Sequence, residues 1–146
     1  MTVHSLVRVL VDALATPVQL ALLLAVTVVL IDVGIALGER AVGLARLASA
    51  PRSVIQKLAE ARIERSDVLA RTGPMLGLMG TLIPLGPGLA ALGRGDVAVL
   101  AQAVTVAFDT TVMGLLVGVL AFVTGRLRRR WYDALLTRLE AEAAHA

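Results

Sequence analysis

The sequence contains no cysteine and only two histidines, His4 and His145, which lie near its opposite ends. The lack of cysteine excludes disulfide bonds, thiol catalysis and cysteine-ligated metals. A histidine metal site needs clustered ligands, and these two residues are far apart in the sequence. Serine, histidine and acidic residues also do not group as a hydrolase requires. We therefore expect no enzyme, no catalytic residue, no metal site and no cofactor.

Charged residues are scarce as well. They make up 17% of the 146 residues, against 58% hydrophobic residues, and the mean hydropathy is +0.84, which is typical of a membrane protein. About 20 apolar residues in a helix cross the hydrocarbon core. Three segments meet this length and are predicted to span the membrane: 17–37, 73–92 and 98–123. We predict one all-α membrane domain, residues 1–146.

The basic residues indicate the orientation of these spans. Seven lie between the first and second spans and five follow the third, whereas one precedes the first and one lies in the turn before the third. Basic residues remain on the cytoplasmic side, so residues 38–72 and 124–146 are predicted to be cytoplasmic and the N-terminus to be outside. Residues 1–16, which Arg8 and Asp12 interrupt, are predicted to form an interfacial lead-in helix.

The segment between the first two spans is predicted to be helical from Pro51 to the start of the second span. Asp67 and Arg71 have the favourable acid-first i, i+4 spacing, and Ile55 and Leu58 give a partial apolar edge. This helix either extends the pore wall below the membrane or binds another protein.

A basic run follows the third span and ends in the only tryptophan and tyrosine of the chain. Basic and aromatic residues beside a span are typical of anchoring in the lipid head groups, which we favour over nucleic-acid binding. The predicted interface anchors are Arg128, Arg129, Arg130, Trp131 and Tyr132.

Small residues and prolines recur at helical spacing in the second and third spans. Such strips allow two helices to approach closely, and prolines inside a span are expected to kink the helix and free backbone carbonyls. We predict a tight antiparallel hairpin of spans two and three, with span one packed outside it. The residues predicted to form this packing and pore hairpin are Gly73, Gly77, Gly80, Pro84, Pro87, Gly114 and Gly118.

Asp109 is the only formal charge in the segment 98–123. Carboxylates at that depth are costly and usually serve an ion pathway, a relay or a buried partner. At about 100° per residue, Asp109 shares a face with Gln102 and Thr105 and lies roughly 160° from Thr111. One face should meet a central pathway and the other a subunit boundary. The alternative role for Asp109 is a structural hydrogen bond to Thr105 or Gln102.

For the other polar residues in or near the spans, a structural role is considered beside a role in ion transport. The hydroxyl groups of Thr81, Thr110 and Thr111 either line an ion pathway or bond a carbonyl one turn back, as is routine in membrane helices. Asp32, close to Arg40 at the inner end of span one, is expected to be a paired or snorkelling carboxylate.

Two motifs, GLMGT at 77–81 and TTVMGL at 110–115, resemble the paired signatures GLxGTxxG and TTAxGL of the MotA/TolQ/ExbB proton-channel family. The resemblance covers Arg71 to about Trp131. It implies a ring of five such subunits in a prokaryotic inner membrane, around two copies of a small single-span partner of the ExbD/TolR/MotB kind whose aspartate carries the proton. Thr81 and Thr111 match the pore-facing threonines of the family.

The chain departs from the family in two respects. Its cytoplasmic part is much shorter than in MotA, and Val106 stands where ExbB- and TolQ-like proteins often have glutamate. Asp109 either takes over the role of that acid one face away or is an additional protonation site. The resemblance thus implies a short, proton-driven energy transducer, with H⁺ favoured over Na⁺ as the transported ion. The alternatives are a self-contained homo-oligomeric cation channel that uses Asp109 and a structural membrane scaffold.

Overall fold

The chain forms three long helices in a computed structural model that describes residues 3–40 and 51–145. They are α1 (Val3–Gly38), α2 (Arg52–Leu92) and α3 (Val97–His145). Each is long and apolar enough to cross a membrane, which confirms the predicted all-helical class with three candidate spans. The side chains of His4 and His145, and position Arg46 of the predicted basic loop, lie outside the described residues.

The helices are longer than the predicted spans. α1 passes through Pro17 without a break, so the segment predicted as an interfacial lead-in helix and the predicted first span form one continuous helix. α2 likewise contains Pro74, Pro84 and Pro87. The predicted helix after Pro51 is confirmed, and it runs on into the second span as one element. Proline is tolerated inside such helices because side chains and water can satisfy the carbonyls that it frees.

A four-residue turn, residues 93–96, joins α2 to α3. The Gly95 N–H donates to the Leu92 carbonyl at 2.9 Å, and Gly95 has a φ of +85°, a conformation that favours glycine. Asp96 caps α3 because its Oδ1 accepts a hydrogen bond from the Val99 N–H at 3.2 Å. The predicted short turn is therefore present, with a glycine where the backbone demands one.

The chain divides into two compact units. The first unit comprises Met1–Thr27 and Arg71–Gly118, and the second comprises Val28–Ala70 and Val119–Ala146. All three helices contribute residues to each unit.

In the first unit, α2 and α3 touch through glycines. A Cβ built on Gly114 would lie 2.6 Å from the Gly77 Cα and 2.7 Å from the Gly73 carbonyl oxygen. A Cβ on Gly88 would lie 2.8 Å from the Ala103 Cβ. These separations leave no room for larger side chains, so the two backbones meet directly. Gly118 is also buried.

The second unit has an apolar core between α2 and α3. Ile55, Ala59 and Tyr132 are buried, and partly buried residues pack against them: Ile63, Leu135, Leu136 and Leu139. Ile55 thus belongs to the apolar edge predicted for this segment, while Leu58 is half-buried. A Cβ on Gly125 would meet the Ser66 Cβ at 3.1 Å, so the helices approach closely here too.

Candidate functional site

The two motif threonines of the hairpin lie side by side in the first unit. The Thr81 and Thr111 hydroxyl oxygens contact each other. Thr111 also bonds the Ala107 carbonyl at 2.9 Å, and Thr81 bonds the Gly77 carbonyl at 2.9 Å, with the Ala107 carbonyl at 3.4 Å. Both side chains are only half-buried. The site is therefore a pair of hydroxyl groups that remains accessible from one side.

The glycines of α2 allow this juxtaposition. A Cβ on Gly80 would lie 2.8 Å from the Thr110 Cβ, and a Cβ on Gly77 would lie 3.1 Å from the Thr110 carbonyl oxygen. Thr110 is buried against this surface, and its hydroxyl bonds the Val106 and Ala107 carbonyls at 3.0 Å. Thr110 therefore packs the hairpin, whereas Thr81 and Thr111 present oxygen atoms at its edge.

The hydroxyl pair has fewer protons than acceptors. Each threonine hydroxyl carries one proton and two acceptor lone pairs. The two protons are shared among four contacts, one between Thr81 and Thr111 and three to the Gly77 and Ala107 carbonyls, so at most two of the four are hydrogen bonds at one time. The pair consequently retains lone pairs and suits a ligand that donates hydrogen bonds, such as water, hydronium or a protonated carboxyl group.

Asp109 lies away from this pair. It is exposed on α3, as are Gln102 and Thr105, and Thr105 bonds the Ala101 carbonyl at 3.0 Å. In the described part of the chain, Asp109 makes no hydrogen bond or ion pair, so the structural bond to Thr105 or Gln102 is not formed within one chain. The two polar faces predicted for α3 are thus a threonine face inside the hairpin and an acidic face outside it.

A buried charge network in the second unit was not predicted from the sequence. Arg128 is 0% exposed and Asp32 is 2% exposed. Arg128 donates from Nη1 to Asp32 Oδ2 at 2.7 Å, from Nη2 to the Asp32 carbonyl at 3.2 Å and from Nε to Glu39 Oε2 at 3.3 Å. All three guanidinium nitrogens therefore donate to Asp32 in α1 or to Glu39, which directly follows α1.

α2 completes this network. Arg65 donates to Asp32 Oδ1 at 2.7 Å, and the buried Ser66 hydroxyl lies 3.1 Å from Asp32 Oδ2 and 3.2 Å from Arg128 Nη1. Arg62 forms an ion pair with Glu39 Oε1, although that oxygen lacks a partner in hydrogen-bond geometry. Two carboxylates thus meet three guanidinium groups, and the ions buried most deeply are the ones most fully bonded, as buried charge requires.

The predicted interface anchors are corrected by this network. Arg128 is buried in the charge network, and Tyr132 is 2% exposed and accepts a hydrogen bond from Arg62 at 2.9 Å, so neither side chain is exposed in the single chain as an anchor would be. The Arg40 guanidinium lies over the Trp131 ring, with its Cζ 5.7 Å from the ring centroid. Arg130 is exposed and Arg129 pairs with Asp67.

Asp32 and Asp67 have partners that the sequence interpretation did not give them. Asp32 pairs with Arg65 and Arg128 instead of Arg40, and Asp67 pairs with Arg129. Because Arg65 precedes the predicted second span, Asp32 is in register with the segment between the spans. The only sequence signal for this was an acid at the end of an apolar run together with surplus arginines.

Comparison with protein-family models gives one finding that agrees with this geometry. Residues 40–141 match the model of the MotA/TolQ/ExbB proton channel family. The match includes both motif threonines and the two helices of the hairpin. Searches of curated proteins and of solved structures gave no match. With most of its length matched and the two signature threonines in contact, the chain belongs to the MotA/TolQ/ExbB proton channel family.

Proposed function

We propose that this chain is the ring-forming subunit of an inner-membrane energy transducer driven by the proton-motive force, and that it works with a small single-span partner carrying an aspartate. The observation that carries the proposal is the contact between the Thr81 and Thr111 hydroxyls at the accessible edge of the hairpin. Membership of a proton-channel family gives this contact its functional context.

The chemistry of the threonine pair supports a protonated carboxyl group as its ligand. Both hydroxyl groups are held by carbonyls of their own hairpin, and their remaining lone pairs accept hydrogen bonds. A carboxylic acid donates one hydrogen bond when protonated and none when ionised. The pair therefore binds the neutral form of a partner aspartate preferentially and assists its passage between proton uptake and release.

The surface of the first unit supports assembly into a ring. Large apolar side chains of the hairpin are exposed in the single chain, for example Leu78, Leu82, Phe108 and Val112. Lipid can cover these, but it cannot cover the carboxylate of Asp109, which costs about 2.5 to 3.5 kcal/mol at the centre of a span. A neighbouring subunit or a water-filled pathway supplies the polar partner or the water that the Asp109 carboxylate lacks in the single chain. A ring of five subunits around two partner helices covers the exposed apolar side chains and gives Asp109 a polar environment.

The proposal is tested by the native mass of the complex after gentle extraction from its own host membrane, with every stoichiometric component identified. We expect a ring of five copies with two copies of a single-span protein that has an aspartate within its span. A ring with nothing inside it contradicts the two-component proposal and favours the self-contained channel.

The Asp109→Asn variant separates the remaining alternatives, because asparagine keeps the size of the side chain and removes its charge. A complex that assembles normally but conducts no protons in liposomes excludes a purely structural scaffold. A complex that no longer assembles shows that Asp109 bonds between subunits, and then it carries no argument for transport.

A further inference from the structure

The first unit contains two adjoining cavities between α1 and α2, apart from the threonine pair. The inner cavity, about 150 Å³, is lined by side chains and backbone of both helices: Asp12, Ala15, Gln19, Gly80, Ile83, Pro84 and Pro87. The outer cavity, about 860 Å³, shares Asp12, Ile83 and Pro87 with it. Asp12 therefore lies where the two cavities meet.

The inner cavity has an unusual supply of oxygen atoms. In a regular helix, the Gly80 and Ile83 carbonyls accept bonds from the N–H groups of residues 84 and 87. Both of those residues are proline, which has no N–H. The two residues deprived of a donor are the ones that line the cavity. Asp12 and Gln19 line the same space, so a carboxylate, an amide and two carbonyls without a helical donor all belong to its lining residues.

The charges around the cavities are unequally distributed. Asp12 is the one charged side chain among the residues that line the inner cavity, whereas Arg8 and Arg94 line only the outer one. Long arginine side chains extend toward water at a membrane interface. In the described residues no ion pair joins Arg8 to Asp12, although they lie one turn apart. Asp12 and Gln19 are exposed in the single chain, so the inner cavity is an open groove with one negative charge beside a wider space lined by two arginines.

We propose that this inner cavity is a hydrated binding site for a small monovalent cation, with Asp12, Gln19 and the carbonyls of Gly80 and Ile83 as its ligands. Hydronium and Na⁺ are both bound through oxygen atoms, and rings of carbonyl and carboxylate oxygens are the usual means of cation recognition in channels. The site supplies cations from the N-terminal end of α1 toward Gly80, the neighbour of Thr81. The role of the site in supplying cations rests on the proposed function. The existence of the binding site does not depend on it.

The absence of cysteine from the natural sequence provides a direct test. Ala15→Cys and Gln19→Cys place a thiol in the inner cavity, and Leu20→Cys places one at similar depth on a side that is 61% exposed in the single chain and does not line the cavity. The probes are membrane-impermeant thiosulfonate reagents of opposite charge, applied to the assembled complex. Thiols react as thiolates, which form in water and not in lipid.

We expect both cavity variants to react about tenfold faster with the cationic reagent than with the anionic one, as electrostatic steering by Asp12 requires. Adding Asp12→Asn should remove that preference, whereas Asp96→Asn, the same change in the α2–α3 turn, should leave it. Slowing of the reaction by Na⁺, with choline as the reference, identifies Na⁺ as the ligand; equal rates exclude Na⁺.

Three results overturn the proposal: reaction of the cavity variants no faster than that of Leu20→Cys, equal rates with both reagents, or a preference for the anionic reagent, which would show that Arg8 and Arg94 dominate. Two variants are used so that a folding defect in one leaves the test intact. The native-mass experiment is independent of this one. If the complex contains its partner but the cavity thiols do not react, only the proposed cation site is rejected. If the thiols react as expected but no partner is found, only the proposed transducer function is rejected.

Discussion

Asp109 and Thr111 are two residues apart on α3, yet they have different surroundings. The Thr111 hydroxyl is bonded within the hairpin, whereas Asp109 is exposed and unpaired in the described chain. The helical period alone separates them by about 160°. In a ring, one hairpin can therefore present hydroxyl oxygens in one direction and a carboxylate in another.

The threonine pair leads to a prediction at the residue scale. Replacing Thr81 or Thr111 with valine keeps the shape of the side chain and removes the oxygen that, in the proposed function, accepts a hydrogen bond from the aspartate of the partner. A hydrogen bond between neutral groups contributes about 0.5 to 1.5 kcal/mol, so we expect proton flux in liposomes to fall roughly 2- to 10-fold.

Thr27→Val is the matched control for these variants, because the Thr27 hydroxyl is exposed and bonds only the Leu23 carbonyl at 2.9 Å in α1. Its flux should equal that of the natural complex. Normal flux through both motif variants would contradict a role for the pair in the ion path.

At the scale of the element, α2 and α3 depend on positions where a single methyl group does not fit. A Cβ on Gly114 would approach backbone atoms of Gly77 and Gly73, and backbone atoms in packed helices cannot move aside as a side-chain tip can. By contrast, a Cβ on Gly86 has no atom within 4 Å. The two glycines therefore have different roles although both lie in membrane-spanning helices.

Gly114→Ala is expected to separate the hairpin helices. Overpacking costs about 1 to 3 kcal/mol, which should lower the thermal unfolding midpoint in detergent and reduce the yield of assembled complex. Gly86→Ala should leave both quantities unchanged. Equal midpoints for the two variants would show that α2 and α3 do not meet at Gly77 and Gly114.

Much of this element structure was predictable. Apolar runs of membrane length gave the three helices, and the recurrence of Gly73, Gly77 and Gly114 predicted the close approach of α2 and α3. Helix lengths were not predictable, because Pro17 and Pro74 interrupt a sequence pattern without ending a helix. The partners of Arg128 were hidden for a different reason: a buried arginine beside a span has the same local sequence as an anchoring one.

At the scale of the whole molecule, each of the two units is held together internally by a different kind of interaction. Small-residue contacts and local hydroxyl bonds join α2 to α3 in the first unit. In the second unit, ionic bonds from Arg128 bring α3 to Asp32 and Glu39, while Arg65 brings α2 to Asp32. Breaking a buried ion pair by removing one partner leaves an uncompensated charge and costs about 3 to 5 kcal/mol.

Arg128→Met tests this arrangement, since methionine fills much of the volume and removes the charge from Asp32 and Glu39. We expect a loss of unfolding free energy of about 3 to 5 kcal/mol, measured by denaturant titration with circular dichroism. Arg130→Met, an exposed arginine in the same run, should have little effect. Similar losses in both variants would place Arg128 at the surface instead of in the network.

The contact between Arg40 and Trp131 has a practical consequence. Trp131 is the sole tryptophan of the chain, and it is half-buried beneath a cation. Its fluorescence therefore originates from one place in the second unit, where residues just beyond α1 meet α3. Separation of these elements changes the emission of the unlabelled chain, so the natural sequence already contains an optical probe for the second unit.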